Sequence, residues 1–153
     1  MSITPVLLSV ALATVGPSLS EEAPTMELAL TGVGRFAVFA DLASITPDGD
    51  GVRMRSLQVS EEDMMIGGAA YAGGWSWWRF DCEAGTADRL DFASLRGDGV
   101  EGPITPETAP PYPFAPGGDA AELADVACGR VAPLVEAATA AEAVRVGRAR
   151  MRD

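Results

Sequence analysis

Trp75-Ser76-Trp77-Trp78-Arg79-Phe80-Asp81-Cys82 is the stretch on which the fold turns. Its aromatic residues favour a strand, and the period-two alternation of a strand gives it two faces. Ser76, Trp78, Phe80 and Cys82 point one way; Trp75, Trp77, Arg79 and Asp81 point the other. The first set carries a cysteine and no charge, so it is the expected core face. Trp75, Trp77 and Arg79 become the candidate partner-binding residues, because exposed aromatics beside an arginine anchor partners. The competing reading is that the C-terminal helix, or Tyr112 and Phe114, covers that face.

Working outward, Gly85-Thr86 marks a turn into a strand over Asp88–Leu95, which makes an antiparallel hairpin with the first. Upstream, Phe36–Leu42 and Val52–Val59 read as strands joined by turn chemistry at Thr46-Pro47-Asp48-Gly49-Asp50-Gly51. Apolar parity changes between Met54 and Leu57, which predicts a bulge near Ser56. The acids Glu61-Glu62-Asp63 and the pairs Gly67-Gly68 and Gly73-Gly74 read as a long connection. Beyond Gly97-Asp98-Gly99, six prolines from Pro103 to Pro116 exclude a central strand. Asp119-Ala120-Ala121-Glu122 has capping-box spacing and opens a helix toward Cys128. A second helix is expected from Pro133 to about Arg150, with arginines at the C-terminal end that favours cations.

Composition removes most familiar chemistry. The 153 residues include no histidine and no lysine, and the net charge is −11. Ser–His, Ser–Lys and Cys–His nucleophilic pairs are therefore impossible, as is a Walker-type phosphate loop. Cys82 and Cys128, without histidine, leave too few soft ligands for zinc, so no metal and no cofactor is expected. The acidic balance repels phosphate backbones, so nucleic acid is not an expected partner. Carboxylate chemistry survives, with Asp41, Asp81 and Asp91 as strand acids that would have to converge. The opposing reading is that they face solvent or pair with arginine. Arg96-Gly97-Asp98 is read as a product of composition, and Asp48-Gly49-Asp50-Gly51 as a turn, because Val59 stands where a calcium loop needs its closing Glu.

Met1 to Ser20 carries no charged side chain, and Val6–Val15 has the length of a signal-peptide core, too short to span a bilayer. Residues 1–20 are thus expected to be a signal peptide and the protein to be exported, meeting the membrane only through that transient segment. An even cysteine count behind such a leader reads as one disulfide, the alternative being two buried free thiols in a cytosolic protein.

The order of pieces is similar to the surface-adhesin protein E-like family of small exported bacterial domains. The resemblance rests on Phe39-Ala40-Asp41-Leu42-Ala43-Ser44-Ile45, Gly51-Val52-Arg53-Met54-Arg55, Arg79-Phe80-Asp81-Cys82 and Ala127-Cys128-Gly129. It implies an antiparallel sheet with a helix packed on it, a Cys82–Cys128 bridge, and a protein partner at the envelope or cell surface. The combined expectation is an α+β protein: an antiparallel sheet with a helix on one face, one disulfide and an extra C-terminal helix. Residues 26–130 would form the domain and 131–153 a helical tail. Its function would be non-enzymatic binding, with a structural envelope component or a carboxylate-based periplasmic hydrolase as alternatives.

Overall fold

Ala37-Val38-Phe39-Ala40 is apolar at four successive positions, and a strand with no polar side is buried on both faces. That run sits near the centre of the computed structural model, which describes residues 16 and 25–153. The expected signal peptide, residue 16 apart, lies outside the described residues. The strands are β1 (Leu28–Val33), β2 (Phe36–Asp48), β3 (Gly51–Ile66), β4 (Ala69–Asp81), β5 (Thr86–Arg89), β6 (Asp91–Arg96), β7 (Thr105–Pro106) and β8 (Tyr112–Pro113). The helices are α1 (Asp119–Ala127) and α2 (Ala140–Met151). All pairings are antiparallel, in the order β1-β2-β3-β4-β5-β8, with β6 also on β4 and β7 on β6. The α+β class therefore holds. The proline-containing β7 and β8 are two-residue strands with exposed residues, as missing N–H donors require.

Each face of the sheet carries a helix. On one, Val38, Ala40, Met54, Trp78 and Phe80 pack with Leu123, Ala124 and Val126 of α1. On the other, Leu28, Ala37, Phe39, Leu57, Val59 and Trp75 form a second core with Ala143 of α2, flanked by Val144, Val146 and Met151. Segment 131–153 thus contributes directly to a core. Two buried faces also explain the parity change in β3: Met54 serves one core and Leu57 the other. No bulge occurs at Ser56, and the register with β4 runs unbroken from Val52↔Phe80 to Val59↔Gly73. The break falls later, between Val59 and Met64.

The expected long connection after Val59 is a hairpin instead. Gly67 and Gly68 have φ of 57° and 79°, the paired positive values that a tight two-residue turn demands. At the hairpin's base, Arg148 of α2 donates to the Ser60 carbonyl and pairs with Asp63. Gly147 lets α2 approach closely, since a Cβ there would lie 2.8 Å from that of Ala37 and 3.0 Å from the Phe39 ring.

Both helix starts differ from expectation. Gly118, not Asp119, is the N-cap of α1 and supplies no side-chain bond; Asp119 sits in the first turn, where its charge suits the helix dipole. Helix α2 begins at Ala140 rather than Pro133, because the Thr139 hydroxyl accepts from the Glu142 amide at 3.1 Å. The preceding segment is not helical, and the Leu28 amide donates to the Ala137 carbonyl at 2.9 Å.

Cys82 and Cys128 are disulfide-bonded, with Cα atoms 5.8 Å apart. The bridge ties the end of β4 to the C-cap of α1. Arg130 reinforces the junction, donating to the Cys82 carbonyl at 2.8 Å and pairing with Asp125 at 3.2 Å. Among the described residues, no helix is long and apolar enough to cross a membrane.

Candidate binding surface

The alternation read from Trp75–Cys82 separates the side chains as expected, but it does not leave all of one face open. Trp75 is only 1% exposed, so it is a core residue and no candidate for partner contact. Its neighbours Leu57, Val59, Ala93 and Leu95 bury it, in the same core that α2 completes. Arg55 closes over it, with the guanidinium carbon 4.2 Å from the ring centroid. Trp78 and Phe80 are buried on the opposite face, as expected, with ring centroids 5.8 Å apart.

Trp77 is different. It pairs with Arg55 across β3, beyond the Leu57 and Val59 positions that face the α2 core, and it remains half-buried. Arg53, which is exposed, stacks on it at 4.7 Å from guanidinium carbon to ring centroid. Trp77 and Arg55 border a groove of about 490 Å³ whose other walls include Met26, Asp41, Ser44 and Glu101. Arg55 is held across it by Glu101 at 2.7 Å. Arg79 lies on the same face but is committed to the β2–β3 turn: it pairs with Asp50 at 2.7 Å and donates to the Asp48 carbonyl at 3.2 Å. These contacts hold that turn.

Of the three expected residues, then, Trp77 sits at an accessible site, Arg79 is tied to the β2–β3 turn and Trp75 is core. Arg53 and Arg55 were missed. Their signal was present in the alternation Val52-Arg53-Met54-Arg55, which places both arginines on the Trp77 face once β3 and β4 are paired.

The strand acids do not converge. Asp41 accepts from the Glu27 amide at 3.1 Å, and Asp91 from the Trp77 amide at 2.8 Å. Asp81 accepts from the amides of Glu83 and Ala84 in the β4–β5 turn. Each satisfies local backbone donors. Asp98, in the Arg96-Gly97-Asp98 triplet, likewise accepts from the Val100 amide at 3.1 Å. Among the described residues, no three acids or cysteines group as metal ligands.

A separate cleft of about 410 Å³ opens on the α1 side of the sheet, among Gln58, Trp78, Arg89, Tyr112, Phe114 and Asp119. Arg89 spans it, donating from Nε to Ser76 Oγ at 2.8 Å and lying 3.4 Å from a Glu107 oxygen. Burial pushes the Tyr112 hydroxyl above its usual pKa, with Arg89 opposing, so the phenol is neutral at physiological pH.

No family model, curated protein or solved structure matches this chain.

Proposed function

We propose that this protein is an exported, non-enzymatic binding domain that captures a protein partner on the sheet face around Trp77 and Arg53. The observation that carries this reading is the half-open Trp77, stacked beneath an exposed arginine at the lip of a groove. Tryptophan and arginine dominate the energetics of protein interfaces, because each brings a large apolar area together with directional polar contacts. The scaffold suits capture of this kind. A sheet clamped between two helices and tied by a disulfide holds the anchor rigid, so little conformational entropy is lost on binding. The disulfide fits an oxidising compartment. The resemblance to the surface-adhesin protein E-like family supports the same class of role.

The double substitution Trp77→Ala with Arg53→Ala tests this. It is expected to weaken capture of the partner from envelope extract by roughly 30-fold or more, a loss of about 2 kcal/mol or more. Stability should change by only about 1–2 kcal/mol, since Arg53 is exposed and Trp77 is only half-buried. Unchanged capture by a folded double variant would remove Trp77 from the interface.

A further inference from the structure

The second cleft is built from five separate stretches of chain: Gln58 from β3, Trp78 from β4, Arg89 from β5, Tyr112 to Ala115 from the proline-rich segment, and Gly118 to Ala120 at the start of α1. We propose that it binds a neutral saccharide. Charge decides the class. A cation would meet Arg89, which already lies 5.8 Å above the Trp78 ring and 5.3 Å above that of Phe92. An anion would meet the Asp119 carboxylate in the cleft wall, Glu107 beside Arg89, and the repulsion of a chain carrying a net charge of −11.

What remains is an uncharged ligand, and the polar groups define its kind. Arg89 only donates, the Asp119 carboxylate only accepts, and the Gln58 amide and Tyr112 hydroxyl do both. Among the described residues, the terminal nitrogens of Arg89, the Gln58 amide and the Tyr112 hydroxyl make no hydrogen bond. A ligand dense in hydroxyl groups, each a donor and an acceptor, satisfies such a set. Tyr112, 43% exposed, and half-buried Phe114 supply apolar surface for the C–H face of a sugar ring. A cleft of about 410 Å³ lies within the size range of small-molecule sites. The site is on the opposite face of the sheet from Trp77, so the two are separable.

The test is an array of neutral oligosaccharides, including glucose and N-acetylglucosamine oligomers, probed with the intact disulfide-bonded protein. Tri-galacturonate and choline serve as the anionic and cationic comparisons. Binding should perturb the amide signals of residues 112–120 and the Gln58 side-chain amide in two-dimensional NMR spectra, and leave Trp77 undisturbed. Tyr112→Ala should weaken it at least tenfold with the thermal midpoint nearly unchanged, and Gln58→Ala several-fold. The proposal is overturned by no neutral saccharide binding at millimolar concentration, by preference for tri-galacturonate or choline, or by binding that Tyr112→Ala does not affect.

Discussion

Trp75→Ala is expected to destabilise the protein by about 3–5 kcal/mol, as truncation of a large core side chain does. Trp75 is 1% exposed and packs among Leu57, Val59 and Leu95, so the lost ring leaves a cavity that strands β3, β4 and β6 cannot collapse to fill. The indole nitrogen adds a sharper expectation. Trp75 Nε1 is buried and has no hydrogen-bond partner among the described residues, whereas Trp78 Nε1 donates to Ser56 Oγ at 2.8 Å. Trp75→Phe removes a donor that is unpaired, while Trp78→Phe leaves the buried Ser56 hydroxyl without its partner. Chemical denaturation should therefore show Trp78→Phe costing about 1–3 kcal/mol more than Trp75→Phe. A cost below about 1 kcal/mol for Trp75→Ala would mean that this side chain lies at the surface.

Replacing both Cys82 and Cys128 with serine is the second large effect. The bridge closes a loop with a sequence separation of 46, for which the chain-entropy estimate gives about 4 kcal/mol. The native state keeps other ties at the same junction, including Arg130 to the Cys82 carbonyl, so the double variant should still fold. Its denaturation midpoint should fall by the equivalent of about 2–4 kcal/mol. Equal midpoints for the wild type and the double-serine variant, both under non-reducing conditions, would show that the bridge contributes nothing to stability.

The particular residues show why some of this was legible in the sequence and some not. The faces of Trp75–Cys82 follow from the geometry of any strand, and they came out as expected. Which of those faces is covered does not follow from local pattern, because α2 returns from far downstream to pack on β1, β2 and β3. That long-range contact completes the core to which Trp75 belongs. It also made the Met54-to-Leu57 parity change look like a bulge, when it records a sheet buried on both sides. The hairpin turn at Gly67-Gly68 was signalled by its glycine pair but masked by the acids before it, whose charge on an exposed arm resembles a loop. The Thr139–Glu142 cap was readable and outweighed by Pro133, which suggested an earlier start. At the candidate surface, Trp77 was visible from alternation alone. Arg53 required the β3–β4 register, which pairing and not sequence spacing determines.

The most direct test of the binding account is photo-crosslinking from a benzophenone side chain placed at Arg53, with the same group at the exposed turn residue Glu83 as control. Irradiation in envelope extract should give one discrete protein adduct from position 53, none from position 83, and loss of the adduct when Trp77→Ala is added. No adduct from position 53, or the same adduct from both positions, would contradict a binding surface centred on Trp77.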